Sequence, residues 1–148
     1  MLENGDLIFV KDDSDIGQAI QASTGNYSHV AIFLDGFVYH ASGEVGVICQ
    51  KPIDFFEPDY LYDIFCYPKI DIQKAKKRAD QHLGAPYNFS FYPDGDGLYC
   101  SQYIADILPI FETIPMKFGD NIQEISDFWR KYYQKLELPV PLNIYLWI

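Results

Sequence analysis

The chain has 148 residues and a mass of 17.1 kDa, the size of one domain (1–148) rather than two. Hydrophobic residues make up 49% and charged residues 22%, which excludes a disordered chain. Eleven basic against 21 acidic residues leave a formal charge of −10, which argues against a nucleic-acid partner and against docking on anionic lipid.

No stretch approaches the roughly 20 apolar residues of a membrane span. The start, MLENGDLIFVKDD, lacks the basic segment and long apolar run of a signal peptide, so the chain is expected in the cytoplasm unless a leader has been removed. GDLIFV (5–10) predicts a short buried strand. SDIGQAIQA (14–22) predicts a helix capped by Ser14. SHVAIFL (28–34) and FVYHA (37–41) predict two strands joined at Asp35-Gly36, a pair suited to a two-residue turn with positive φ at both positions. Strands GVICQ (46–50) and YLYDIFCYP (60–68) follow, separated by a turn with a helical fragment from Pro52 to Pro58.

DIQKAKKRADQHLG (71–84) predicts a helix capped by Asp71, with Ile72, Ala75, Ala79 and Leu83 on one face and Gly84 ending it. His82 falls on its polar side and reads as solvated. Residues 85–99 form a loop with two Pro, two Gly, two Asp and five aromatics. CSQYIADIL (100–108) predicts a helix stopped by Pro109, and another covers roughly 122–136; the apolar tail should be packed or edge-bound. With an aromatic share of 17%, one small core does not absorb every ring, and some should line a groove. Strands with a hairpin, then helices, suggest one α+β domain.

The hairpin geometry can be computed. If Asp35-Gly36 is the whole turn, Leu34 faces Phe37 and paired residue numbers sum to 71. His29 and His40 are then diagonal neighbours on one sheet face, roughly 7–8 Å apart at the backbone, within reach of each other. The three cysteines are too few and too odd in number for a disulfide framework. Cys49 and Cys66 lie in strand-like runs and read as small buried hydrophobes. Cys100 opens a helix, where backbone N–H groups and the helix dipole favour the thiolate and could hold an oxyanion. On that basis Cys100 should be alkylated before the other two. A thiol at a helix start with two co-facial histidines makes a candidate nucleophile, base and orienting residue.

GDLIF, YSHVAIFLDGFVYHAS (27–42), LGAPYNFSF (83–91) and LYCSQYIADIL (98–108) resemble the YiiX-like branch of the circularly permuted papain-fold amidases, related to the NlpC-type cell-wall peptidases. The resemblance covers about residues 5–108. It implies an antiparallel sheet or partial barrel packed on helices, with the His motif before the Cys motif. It makes Cys100 the nucleophile, His29 the base and His40 the third member. Many relatives carry Glu at that third position, and Glu44 in the next loop is the alternative. Tyr87 matches the PY motif beside the site; with Tyr27 and Tyr99 it is expected to line the cleft.

The expected activity is thiol-dependent hydrolysis of an amide bond in a peptide, isopeptide or N-acyl amine, with no cofactor. Three rivals are consistent with the same residues. The lecithin-retinol acyltransferase-like relatives place a second His similarly, which suits acyl transfer or lipid ester cleavage through the same thioester. Two His and one Cys could hold zinc with one open position. A binding module could retain the fold with an inert thiol.

Overall fold

The short apolar segments between Gly and Asp turns become strands of one sheet. This is a computed structural model and it describes residues 1–24, 27–111, 113–115, 126–141 and 145–147. Strands β1 (Leu7–Lys11), β2 (His29–Leu34), β3 (Phe37–Ser42), β4 (Gly46–Gln50) and β5 (Leu61–Phe65) pair antiparallel in the order β4-β3-β2-β1-β5. The sheet is open, with β4 and β5 at its edges, so it is not a barrel. Asp35 (φ 52°) and Gly36 (φ 88°) both occupy the left-handed region that a tight hairpin needs. The register is the computed one: Leu34 pairs with Phe37, Phe33 with Val38 and Ile32 with Tyr39.

The helices follow from their caps. In α1 (Asp15–Thr24) the Gly17 N–H donates to Ser14 Oγ at 3.0 Å, and in α3 (Ile72–Gln81) the Lys74 N–H donates to Asp71 Oδ1 at 3.2 Å. A four-residue helix, α2 (Pro52–Phe55), follows β4, and α4 (Cys100–Ile107) carries the helix-start cysteine. Helix α5 (Asp127–Leu136) is capped by Ser126, and β6 (Thr113–Pro115) pairs with β7 (Tyr145–Trp147). The first residues of the expected 122–136 helix lie outside the described residues, as do the side chains of the apolar tail beyond Pro141; Val140 packs against α5 and the 85–99 loop.

Period-two alternation gives the sheet two dry faces. Val30, Ile32, Leu34, Tyr39 and Ala41 pack on α3 and α4 through Ala75, Ala79, Tyr103, Ile104 and Ile107. Ile8, Val10, Ala31 and Val38 form the other face, covered by Phe55 of α2. A third cluster joins Phe91 and Tyr99 of the 85–99 loop to Trp129 and Tyr133 of α5.

Three expectations are corrected. Helix α3 ends at Gln81 rather than Gly84, so Leu83 leaves the apolar stripe and is exposed. Cys49 and Cys66 are exposed, because β4 is an edge strand and Cys66 lies just past the end of edge strand β5; Cys100 is the buried thiol. Tyr99 is a core ring at 1% exposure, 5.6 Å from Phe91, and does not face a cleft.

Candidate active site

The site begins with a serine. Ser28 precedes β2, and its hydroxyl donates to Val10 O at 3.1 Å or Asp12 Oδ2 at 2.9 Å, while its N–H donates to Val10 O at 2.8 Å. These contacts fix the first turn of chain into β2 and so the direction in which His29 leaves the backbone. His29 pairs with Val10, and the hairpin register sets His40 diagonally across from it. The two rings meet edge to face with centroids 5.1 Å apart, and His29 Nε2 lies 2.9 Å from His40 Nδ1. That is a direct hydrogen bond between the two histidines on one face.

Phe55 walls this pair, 4.8 Å from the His40 ring and 6.5 Å from that of His29. The other His40 nitrogen, Nε2, is hydrogen-bonded to Gln50 Oε1 at the end of β4. Neither Phe55 nor Gln50 was singled out in the sequence. Gln50 could have been found by the arithmetic that paired the histidines: His40 faces Ile48, and Gln50 is two residues on, on the same face. Glu44 is exposed in the turn before β4, and the partner of His29 is His40.

Cys100 is held by a different set of contacts. The loop before it is zipped to the sheet edge: Val47 N–H donates to Ala85 O and Gly84 N–H to Val47 O, each at 2.9 Å. Leu98 N–H then donates to Pro86 O at 3.0 Å and Asn88 N–H to Leu98 O at 3.1 Å, so Tyr87 and Leu98 form a bridge that delivers Tyr99 and Cys100 to the helix start. Gln102 Oε1 accepts the Tyr99 N–H at 3.2 Å and closes the first turn of α4. The Cys100 thiol sits among the Val30 and Ser101 backbone amides and the Tyr87 hydroxyl. It therefore adjoins Val30, one residue along from His29, at the starting end of both β2 and α4. The thiol packs with the α4-side core, whereas the imidazoles pack against Phe55 on the α2 side. Among the described residues the hydrogen bond of His29 is to His40, and none joins its ring to Cys100.

Electrostatics correct another expectation. Burial raises the Cys100 thiol above its ordinary range, outweighing the nearby amides and Tyr87, which act the other way. Burial, with the neighbouring His40, pushes His29 down to about 3; burial lowers His40 too, while its bond to Gln50 opposes the shift. At neutral pH the thiol and both imidazoles rest neutral, so they form no thiolate–imidazolium pair.

The tyrosines divide. Tyr87 lies at the thiol, its ring 4.9 Å from that of exposed Phe89. Tyr27 is farther along the sheet edge: its hydroxyl donates to Asp63 Oδ2 at 2.7 Å and its ring packs on Phe9 at 5.0 Å. His82 caps the end of α3 and reaches Asp106 Oδ2 at 2.5 Å, outside this site.

A cysteine that opens a helix packed on an antiparallel sheet, with a histidine at the start of strand β2, is an arrangement of papain-like architecture. Residues 1–122 match the permuted papain-like amidase enzymes, YaeF/YiiX, C92 family, and the chain belongs to that family. No curated protein and no solved structure matches it. The family is one of permuted papain-like, cysteine peptidase-type enzymes that cleave amide bonds.

Proposed function

We propose that the protein hydrolyses an amide bond in a peptide, isopeptide or N-acyl amine, with Cys100 as nucleophile, His29 as base and His40 as the residue that orients it. The observation that carries this reading is the 2.9 Å bond between His29 Nε2 and His40 Nδ1. It commits one nitrogen of His29 to a polar partner, and among the described residues Nδ1 has no hydrogen bond and is left to take a proton. Cys100 lies next to the backbone of Val30, one residue along from His29, and in this reading the His29 ring turns from the Phe55 side toward the thiol when substrate binds.

Because the resting groups are neutral, the proton moves as the bond forms. Cys100 Sγ attacks the carbonyl carbon while His29 Nδ1 takes the thiol proton, and His40 accepts a hydrogen bond from the resulting imidazolium. The negative oxygen is stabilised by N–H groups of the first turn of α4, that of Cys100 first. His29 then returns the proton to the departing amine, leaving a thioester on Cys100. Water, deprotonated by His29, attacks the thioester, releases the acid and restores the thiol. Tyr87, and Phe89 with its exposed ring, supply the apolar wall nearest the sulfur.

The test is a mass-spectrometric trap. The protein is mixed with a panel of peptide, isopeptide and N-acyl amine substrates, quenched in acid and digested. An acyl mass on Cys100 that is absent from Cys100→Ala is the expected result. Turnover without any adduct, undiminished in Cys100→Ala, would remove the thiol from the reaction. Transfer of the acyl group to an added amine rather than to water would move the reading to acyl transfer.

A further inference from the structure

His29, His40 and Gln50 lie on three neighbouring strands and on one face, each offset by two residues from the direct partner of the one before. The hydrogen bonds follow that diagonal: His29 Nε2 to His40 Nδ1, then His40 Nε2 to Gln50 Oε1. We infer that Gln50 is a positioning residue that fixes the tautomers of both histidines from the far end of this row.

The argument is donor–acceptor logic. An amide oxygen only accepts, so the proton of neutral His40 is on Nε2. His40 Nδ1 is then a bare lone pair and accepts from His29. The proton of neutral His29 must therefore be on Nε2, and its Nδ1 carries the lone pair. That nitrogen is the one not engaged by His40, and it is the only ring position from which His29 acts as a base toward a thiol. With the oxygen of Gln50 removed, His40 is free to carry its proton on Nδ1. The histidines then share a bond in which His40 donates, and His29 is left with its proton on Nδ1, the unreactive form. Burial lets this control operate at neutral pH, because neither ring is charged there and each has two neutral tautomers to choose between. Phe55 packs on the buried His40 ring and limits its exchange of partners with water.

The tautomer claim stands on the geometry alone; its catalytic consequence rests on His29 being the base. The two are separated by measuring ring nitrogens and turnover independently. Two-bond nitrogen–proton correlation spectra of the uniformly labelled full chain report which nitrogen of each histidine is protonated. The expected wild-type result is protonated Nε2 in both His29 and His40. In Gln50→Leu the His29 signals should move toward the Nδ1-protonated or averaged pattern. Gln50→Glu, which keeps an accepting oxygen, should preserve the wild-type tautomers.

On a working amide substrate, Gln50→Leu should lower kcat about five- to tenfold with KM nearly unchanged, the scale of one lost neutral hydrogen bond, and Gln50→Glu should recover most of it. A wild-type His29 protonated on Nδ1, or unchanged tautomers in a folded Gln50→Leu, would overturn the inference. Tautomers that shift as stated in a protein whose Cys100→Ala variant loses no activity would support the role of Gln50 and count against the catalytic reading instead.

Discussion

The two histidines divide the chemistry by what each nitrogen touches. Among the described residues His29 is hydrogen-bonded through one nitrogen, to His40, whereas both nitrogens of His40 are engaged, by His29 and by Gln50. Only His29 is therefore able to take a proton without breaking the row. His29→Ala should lower kcat/KM by at least about a thousandfold, nearly as far as Cys100→Ala, because members of one catalytic unit are strongly non-additive. His40→Ala should cost only about ten- to a hundredfold, the value of a hydrogen bond to a charged imidazolium, and His40→Asn should restore part of it. An active His29→Ala beside a dead His40→Ala would exchange the roles. The thiols behave differently from the order their sequence context predicts: Cys49 and Cys66 are exposed and Cys100 is buried with a raised pKa. Limiting iodoacetamide at pH 7 should therefore label Cys49 and Cys66 before Cys100, as read by peptide mass mapping. The pKa of His29 also sets a stability trend. It falls from 6.5 to about 3, so between those values the unfolded chain binds a proton that the folded one does not. That contribution is complete above pH 6.5 and is lost as the pH falls toward 3. The thermal midpoint should drop between pH 7 and 5, and drop less in His29→Asn.

At the scale of elements, the site depends on one turn and one loop. Asp35-Gly36 fixes the β2–β3 register, and the register alone makes neighbours of His29 and His40, which is why that half of the site could be computed from the amino-acid sequence. A hairpin with a two-residue turn has a single solution. The 85–99 loop has none of that determinacy: its course depends on main-chain bonds to β4 and within the loop that no side-chain pattern announces. Its aromatic residues advertised burial without saying against what, so Tyr99 read as cleft wall when it is core. The burial of Cys100 was hidden for the same reason, since a helix N-terminus lowers a thiol pKa only where the thiol retains solvent or charge. Gly97 is the weak point of the loop. Its φ is +83°, and a Cβ there would overlap the carbonyl oxygen of Pro86, which is the acceptor for Leu98 N–H. Gly97→Ala should cost about 1–3 kcal/mol from backbone strain and push Tyr99–Cys100 away from the sheet. The measurements are a chemical denaturation midpoint and kcat/KM. A variant with wild-type stability and rate would show that the loop can yield at Gly97 without moving the nucleophile.

At the scale of the molecule, the region beyond the family match has a structural task that its sequence does not show. Helix α5 presents Trp129 and Tyr133 to Phe91 and Tyr99, the residue immediately before the nucleophile. Tyr132 and Tyr133 donate to Phe89 O and Ser90 O, at 2.5 and 2.8 Å, and Tyr92 donates to Pro139 O. These hydrogen bonds tie α5 and the chain just after it to the loop that delivers Cys100. The helix was legible in the amino-acid sequence, and its described part runs Asp127–Leu136; its partner was not, because aromatic packing is chosen in three dimensions among many rings of similar size. Trp129 is 2% exposed, so Trp129→Ala should destabilise by about 3–5 kcal/mol, the usual cost of emptying a large core ring. Tyr133→Phe removes one hydroxyl bonded to Ser90 O and should cost about 1 kcal/mol while keeping the ring in place. If α5 braces the active-site loop, both variants should lose turnover in the order of their lost stability, even at temperatures where each is still fully folded by circular dichroism. Full activity in folded Trp129→Ala would mean that the contacts to β4 hold the loop alone. Helix α5 would then contribute to stability and not to the position of Cys100.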